Sequence, residues 1–336
     1  MGDENLNFEE AYLTSIQDYL KDIIDVLYSE ANPSLHEIFY YHLGLNESLK
    51  MQGKRIRPML TLLCAAGAGA EVRAALPAAA SIELIHNFSL IHDDIDDNSE
   101  IRRGKKAVWK RWGLARGLNA GDAMFNAAFL VLSKLCDFYS DEIVQDAYQL
   151  LFHTCHHLTI GQDLDIRYEK ESHITVQDYF KMIEGKTAAL IACSTEMGSI
   201  LGYQNPEQRK TFHEFGKNLG IAFQIYDDWL GIWGREEKTG KSSTHDLIEK
   251  KKTYPILLGL ARSKEFVYQF SQNPIDGKLA QAMKLHLSDI GVETDVKQMC
   301  EDWTNKARDN LYNMECHADI KEKLVMIADK LLIRSR

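Results

Sequence analysis

Two stretches of the chain carry paired aspartates inside apolar helical patterns, and any fold must accommodate both. The first is IHDDIDDNSEIRRG at 91–104, which follows an apolar run rich in Ala, Leu and Ile. In a helix, Asp93, Asp94 and Asp97 would be three and four residues apart on one rim. Like charges at this spacing repel, so the pattern favours a bound cation. Carboxylate oxygens are the ligands that Mg²⁺ prefers.

The second stretch is FQIYDDWLGIWG at 223–234, where Gln224, Asp227 and Asp228 share a helix face among aromatic and aliphatic neighbours. A buried carboxylate needs a partner. Two such helices facing each other would form a two-sided cage for Mg²⁺ and a diphosphate. A solvated helix end would explain one acidic cluster, but not a second one in a similar apolar setting.

A calcium-binding EF-hand loop is the other interpretation of the first stretch. A loop beginning at Asp94 would need Gly at its sixth position and Glu at its twelfth. Those positions hold Ser99 and Lys105, which excludes an EF-hand.

Composition points to an all-α protein. The 336 residues include only six prolines, and long stretches are rich in Ala, Leu, Glu and Lys. This length allows two domains. Two acidic helices that must converge favour a single domain over residues 1–336.

The net charge of −10 argues against a nucleic-acid partner, which would need clustered positive charge. No apolar run approaches the length of about 18 residues that a membrane-spanning helix needs.

Cysteine usage and the N-terminus indicate a cytoplasmic protein. The six cysteines are scattered through helical patterns without a CxxC motif, as is typical of free thiols in a reducing compartment. The N-terminal MGDENLNFEE is acidic, unlike a signal or transit peptide.

Hydrophobic periodicity predicts helices along most of the chain. Their expected ranges are 8–30, 34–50, 59–70, 74–97, 105–137 with a break near Gly113–Gly117, 141–168, 174–202, 207–233 and from Pro255 onward. The polar stretch 234–253 is predicted to be a mobile active-site loop. Three cations at 54–57 precede Pro58, which suits a helix start that favours anions.

Six motifs occur in the order and spacing of the trans-polyprenyl diphosphate synthases: GKRIRP, DDIDD followed by IRRG, GKTAAL, FQIYDDWLG, TGKSSTHD and KKTYP. The chain resembles this family over residues 50–260. The resemblance implies an all-α isoprenoid synthase helical bundle with a central active-site cavity, usually a homodimer. It also implies a prenyltransferase that joins isopentenyl diphosphate head to tail to an allylic prenyl diphosphate, with three Mg²⁺ ions.

The resemblance assigns roles to individual residues. The Mg²⁺ ligands are Asp93, Asp94, Asp97, Asp227 and Asp228. Lys54, Arg57, His86 and Arg103 resemble the isopentenyl diphosphate site, and Arg102 resembles a ligand of the allylic diphosphate. The catalytic contacts on the allylic side are Lys186, Thr187, Gln224, Lys241 and Lys251, and Gln162 and Asp165 match a further motif. Gly231 departs from the family pattern, because a third Asp usually stands there.

In the family that the chain resembles, the residues five and four positions before the first aspartate form the floor of the cavity and set the product length. Here these residues are Phe88 and Ser89. Phe88, with Ser89 beside it, resembles the cavity floor of synthases that stop at geranylgeranyl diphosphate. Farnesyl diphosphate or longer polyprenyl products are the alternatives. If Phe88→Ala leaves the product unchanged, the floor lies elsewhere, around Met124 and Phe125.

Two other function classes remain to be weighed. A class I terpene cyclase shares the ionisation step, but it binds no second diphosphate and has little use for Lys54, Arg57, His86 and Arg103. A regulatory subunit that has the fold without the activity is the other alternative, although both acidic motifs and the basic set are present.

Overall fold

The structure, a computed structural model, describes residues 3–47, 53–171, 173–234 and 244–332. It confirms the all-α class. The first helices are α1 Asp3–Tyr28, α2 Pro33–Leu43, α3 Ile56–Gly67, α4 Val72–Asp96, α5 Val108–Trp112, α6 Leu114–Leu132 and α7 Asp141–Lys170. The later ones are α8 Val176–Ile183, α9 Ala189–Leu201, α10 Pro206–Trp233, α11 His245–Ile248, α12 Tyr254–Arg262, α13 Lys264–Ser271, α14 Gly277–Asp289, α15 Val292–Asn313 and α16 Ala318–Leu332.

Three shorter elements complete the described chain. A 3₁₀ turn at Ser133–Asp137 follows α6, and a π-helical turn at Glu184–Ala188 joins α8 to α9. A two-stranded antiparallel hairpin pairs β1 Ile101–Arg102 with β2 Lys105–Lys106. The sequence patterns predicted neither the π turn nor the hairpin.

Most predicted helices are confirmed, with boundary shifts. The break near Gly113 is present, where Gly113 lies between α5 and α6 with φ at 92°. Pro58 is the third residue of α3, because the helix already begins at Ile56. In the loop predicted at 234–253, His245–Ile248 is a short helix, and 235–243 are outside the described residues.

Local capping explains where several helices begin and end. Asn32 accepts a hydrogen bond from the Leu35 N–H, Pro33 occupies the first turn of α2, and Gly44 closes that helix in the left-handed region. At α8, the Thr175 side chain accepts a hydrogen bond from the Asp178 N–H, and the Asp178 side chain accepts one from the Thr175 N–H, which is a capping box.

The chain forms two compact units, each with its own segments. The first contains Met1–Phe152, Cys193–Lys210 and Glu315–Leu324, and the second contains His153–Ala192, Thr211–Met314 and Val325–Arg336. The single-domain organisation over 1–336 stays a prediction.

Helix α4 is the centre of the first unit, where it packs against α3 and α6. Ala75, Ala78 and Ala79 are fully buried on it, and their small side chains let neighbouring helices approach closely. By length and composition α4 resembles a membrane span, but 72% of its most apolar window is buried inside the protein. The core helix of a globular fold has the same character, so this resemblance is weak evidence for a membrane.

The second unit has a separate hydrophobic core. Helices α8, α10, α12 and α14 contribute buried side chains to it, among them Tyr179, Ile225, Ile256 and Met283. The polar face of α10 that carries Asp227 and Asp228 is built on this core.

Candidate active site

The first acidic motif lies at the C-terminal end of α4. Asp94 is 1% exposed, and its Oδ1 accepts hydrogen bonds from Arg102 Nε at 2.9 Å and Nη2 at 2.5 Å. Among the described residues, no hydrogen-bond donor reaches the buried Oδ2 of Asp94. Burial raises the pKa of the Asp94 carboxyl group, and the Arg102 guanidinium opposes that rise. The buried Oδ2 atom is therefore available to a ligand.

The other two acids of the motif have different surroundings. Asp93 is half-buried, whereas Asp97 is exposed and caps the C-terminus of α4 just beyond its last residue. Within the described ranges, no three His, Cys, Asp or Glu side chains lie close enough together to hold a metal ion. The assignment of Asp93, Asp94 and Asp97 as metal ligands stays a prediction.

The hairpin after α4 explains how two adjacent arginines reach different partners. Arg102 lies on β1 and turns back to Asp94. Arg103 and Gly104 form the two-residue turn, both with positive φ, at 51° and 75°. The Arg103 guanidinium packs on Gly53, where an added Cβ would stand 2.8 Å from Nη2. The structure thus separates the residue predicted for one diphosphate from that predicted for the other.

The remaining predicted residues of the basic set lie near the start of α3. Arg57 Nη1 donates to His86 Nε2 at 3.3 Å, so the His86 ring is held as an acceptor. Desolvation and the Arg57 charge lower the pKa of His86 well below its usual value, which keeps this ring neutral. Desolvation also lowers the pKa of the Arg57 guanidinium to about 10. Lys54 is exposed beside them.

The residues predicted to form the cavity floor lie one to two turns before the acids. The Phe88 ring packs edge-on against Phe125, with centroids 5.0 Å apart, and Phe125 packs against Phe129 at 5.1 Å. Ser89 Oγ donates to the His86 carbonyl at 2.8 Å. Phe88 therefore contacts Phe125, which is one of the residues predicted as the alternative floor of the cavity.

In the second unit, the two aspartates of α10 have opposite environments. Asp227 is exposed, while Asp228 is 4% exposed. Asp228 Oδ2 accepts from Tyr179 Oη at 2.6 Å and from the Tyr254 backbone N–H at 3.1 Å, and Oδ1 accepts from Gln224 Nε2 at 2.9 Å. Burial raises the pKa of Asp228 to about 7, against the effect of the Tyr179 and Gln224 hydrogen bonds. Both Asp228 oxygens are therefore engaged by protein donors.

The allylic-side residues continue from this network. Thr187 Oγ1 donates to Gln224 Oε1 at 2.7 Å, so Thr187, Gln224 and Asp228 form one hydrogen-bonded chain. Lys186 forms an ion pair with Asp165, one of the two residues of the further motif. Both Lys186 and Thr187 lie in the π-helical turn, an arrangement frequent at functional sites.

The last predicted positions lie on or near the loop. Lys251 is half-buried, and its Nζ is 3.4 Å from Glu249 Oε2. Lys241 falls outside the described residues. Gln162 is half-buried on α7.

Sequence reasoning gave no role to five residues that lie around the predicted set. Arg55, Glu83 and Asn87 lie beneath the basic residues of the first unit, and Tyr179 and Tyr254 hold Asp228 in the second. Glu83 carried a usable signal, because a charge inside the apolar run of α4 requires a buried partner. Nothing in the sequence marked Tyr179, which has the hydrophobic spacing of a core residue.

Comparisons with known proteins agree on one family. A family model described as Polyprenyl synthetase matches residues 40–285. A (2E,6E)-farnesyl diphosphate synthase of Mycobacterium bovis is 41% identical over 230 residues, which are 67% of this chain and 63% of that protein. The match thus spans less than two thirds of the length of that relative.

Two further proteins are similar over most of their length. A short chain isoprenyl diphosphate synthase of Methanothermobacter thermautotrophicus is 36% identical over 84% of this chain and 86% of its own. The crystal structure of geranylgeranyl pyrophosphate synthetase from Pyrococcus horikoshii Ot3 matches with a TM-score of 0.90 and 28% identity, covering 99% of both chains.

Proposed function

Because the chain belongs to the polyprenyl synthetase family, we propose that it is a prenyltransferase that makes a short-chain all-trans prenyl diphosphate. Its substrates are isopentenyl diphosphate and an allylic prenyl diphosphate, joined head to tail. One observation carries the proposal: Arg102 pairs with the buried Asp94, while Arg103 turns away toward Gly53 and the basic residues near α3. This arrangement fits two different diphosphates, one at the acidic motif and one at the basic set.

The protein residues divide the work between the two substrates. Lys54, Arg57, His86 and Arg103 are proposed to bind isopentenyl diphosphate without a metal, since cations and a neutral ring donor suit an anion. Neutral His86 donates through its Nδ1–H, because Nε2 accepts from Arg57. Arg102, Lys186, Lys241 and Lys251 are proposed to bind the allylic diphosphate as it leaves. Thr187 and Gln224 orient the same side through their shared hydrogen bond.

Mg²⁺ is the proposed cofactor, with three ions. Asp93, Asp94, Asp97 and Asp227 supply the oxygen donors that this ion prefers, and the unpartnered buried Oδ2 of Asp94 fits such a ligand. Asp228 is the weakest of the predicted ligands, because three protein donors already engage it. When bound, Mg²⁺ would neutralise charge on the departing diphosphate.

Geranylgeranyl diphosphate is the proposed product. The rings of Phe88, Phe125 and Phe129, which pack edge-on in series, support a closed end to an apolar channel. Farnesyl diphosphate remains the second candidate, since a relative with 41% identity is named a farnesyl diphosphate synthase. A terpene cyclase is disfavoured by the basic set, which would have no second diphosphate to bind.

A homodimer and a cytoplasmic location complete the proposal. Leu114 and Leu118, one turn apart on α6, are 54% and 43% exposed, and a second copy of the chain would cover this apolar patch. No disulfide joins any two of the six cysteines, all of which lie in the described ranges, and this is in keeping with a reducing compartment. Light scattering of the unmodified protein and of Leu118→Glu tests the dimer: the variant should be monomeric.

The activity is tested by incubating the protein with isopentenyl diphosphate, Mg²⁺ and allylic primers of five, ten and fifteen carbons. Prenyl diphosphates that form only when isopentenyl diphosphate is present, and disappear with a chelator, support elongation. A cyclic hydrocarbon from an allylic substrate alone would support the cyclase instead. No product from any primer would overturn the proposed activity.

A further inference from the structure

A buried ion pair lies beneath the basic residues of the first unit. Glu83, on α4, is 3% exposed, and Arg55, just before α3, is 5% exposed. Arg55 Nη1 donates to Glu83 Oε1 at 3.2 Å, and Nη2 donates to the Leu43 carbonyl at 2.8 Å. The Arg55 side chain thereby ties the start of α3 to both α4 and the end of α2.

The Glu83 carboxylate is itself held in place. Asn87, one turn later on α4, donates from Nδ2 to Glu83 Oε1 at 2.8 Å and to the Glu83 carbonyl at 2.8 Å. Oε1 therefore receives donors from two sides, while Oε2 has no hydrogen-bond partner among the described residues. These contacts fix the position of the Glu83 carboxylate relative to the surrounding residues.

That charge acts on the residues proposed to bind isopentenyl diphosphate. Desolvation lowers the pKa of the guanidinium groups of Arg55, Arg57 and Arg103, and Glu83 opposes this shift in all three. A buried cation without a nearby anion would be costly. Glu83 thus helps to keep the cluster charged, while leaving it with more positive than negative groups for an incoming diphosphate.

The backbone at Arg55 gives the pair a second effect. Arg55 has φ 44° and ψ 41°, the left-handed region that is unfavourable for a residue other than glycine. This bend lies between Lys54 and Arg57, so it sets the directions in which the side chains of Lys54 and Arg57 extend from the backbone. The contacts to Glu83 and Leu43 are the interactions that offset the cost of the bend.

We propose that Glu83 and Arg55 form a positioning pair for the isopentenyl diphosphate site, in which Arg55 fixes the bend and Glu83 fixes Arg55. The inference rests on the proposed function, because it concerns how one of the two substrates is bound. Neither residue is proposed to react. Loss of Glu83 or Arg55 should weaken the binding of isopentenyl diphosphate and leave the binding of the allylic substrate unchanged.

The test compares Glu83→Gln, Arg55→Met and the double variant with the unmodified protein. The KM for isopentenyl diphosphate should rise about tenfold in each, the effect of one hydrogen bond to a charged group. The KM for the allylic substrate should change less than about twofold, because Arg102, which is proposed to bind that substrate, forms its ion pair with Asp94. The double variant should resemble the worse single variant, since coupled residues are not additive.

A matched control separates positioning from general destabilisation. Asp146→Asn breaks the part-buried ion pair of Asp146 with Arg209 in the same unit, away from the basic residues, and should leave both KM values unchanged. Should Glu83→Gln not fold, Arg55→Lys keeps the charge, loses the fork of two contacts and should show the same selective effect.

Two outcomes would overturn the inference in distinguishable ways. Equal changes in both KM values, or an unchanged KM for isopentenyl diphosphate in an active variant, would overturn the positioning role alone. An unmodified protein that makes no product would overturn the proposed function, and the positioning role with it.

Discussion

The Asp246 carboxylate lies against Gly231, where a Cβ on residue 231 would stand 2.6 Å from Asp246 Cγ. Gly231 is the position at which the resemblance expects a third aspartate. Asp246 also raises the pKa of Asp228, so its charge reaches the second acidic pair. The structure therefore places a carboxylate beside α10 even though residue 231 has no side chain.

Restoring the missing acid should harm the protein. Gly231→Asp places a second carboxylate against that of Asp246, and two like charges this close repel. Gly231→Ala adds only a methyl group, from which the end of the Asp246 side chain can move away. Thermal unfolding followed by circular dichroism should show a lower Tm for Gly231→Asp than for Gly231→Ala, and a product assay should show lower activity for Gly231→Asp. Gly277→Ala is the control, because nothing lies within 4 Å of a Cβ there. A Gly231→Asp variant as stable as Gly231→Ala would contradict the expected repulsion between residues 231 and 246.

Removing the hydroxyl group of Tyr179 should lower the stability of the protein, because this group donates a hydrogen bond to Asp228 on α10. In Tyr179→Phe, the buried Asp228 loses its shortest hydrogen bond, at a cost of about 1–3 kcal/mol of unfolding free energy. Urea unfolding measures that loss. Tyr254→Phe is the matched control, because Tyr254 donates to Asp228 through its backbone N–H and keeps doing so. Equal losses in the two variants would mean that the hydroxyl is not the stabilising group.

Phe88→Ala should lengthen the product. The variant removes the ring that meets Phe125 edge-on, and the space it leaves is bounded next by Phe125 itself. Mass spectrometry of the prenyl diphosphates should show a shift toward chains longer by one isoprene unit, and Phe88→Ala with Phe125→Ala should extend the shift. Phe138→Ala, at an exposed ring, is the control. An unchanged product in the double variant would place the floor elsewhere.

Acid should destabilise the fold through His42. Burial lowers the pKa of His42 from 6.5 to about 3, so the folded protein keeps this ring neutral. As the pH falls below 6.5, His42 binds a proton in the unfolded chain but not in the folded chain. The free energy of unfolding therefore falls until about pH 3. The loss of unfolding free energy is at most about 5 kcal/mol for a pKa shift of this size.

The measurement is the free energy of unfolding at intervals between pH 7 and pH 4. His42→Gln should flatten the dependence on pH, even if the variant is less stable at pH 7. His173→Gln, at an exposed histidine, should keep the slope of the unmodified protein. A slope that His42→Gln leaves unchanged would assign the acid sensitivity to other groups.

Local sequence signals were sufficient for the helices but not for the contacts that organise the residues. Periodicity located α4 and α10, and the acidic motifs on them, because a helix repeats its pattern within a few turns. It could not distinguish Asp227 from Asp228. That difference depends on Tyr179, 49 positions earlier, and on Tyr254, 26 positions later.

The hairpin and the buried ion pair were missed for a related reason. A turn of Arg103 and Gly104 lacks the Asn-Gly or Asp-Gly signature of two-residue turns. Glu83 and Arg55 are 28 positions apart, and their pairing depends on how α3 packs against α4.

The left-handed backbone at Arg55 also bears on attempts to make this protein more heat-resistant. Glycine or asparagine at residue 55 would relax the dihedral angles, and a design scheme that scores conformational energy alone would recommend the exchange. The same exchange would remove both guanidinium contacts, to Glu83 and to Leu43. Any gain in melting temperature at this residue is therefore expected to come with a higher KM for isopentenyl diphosphate.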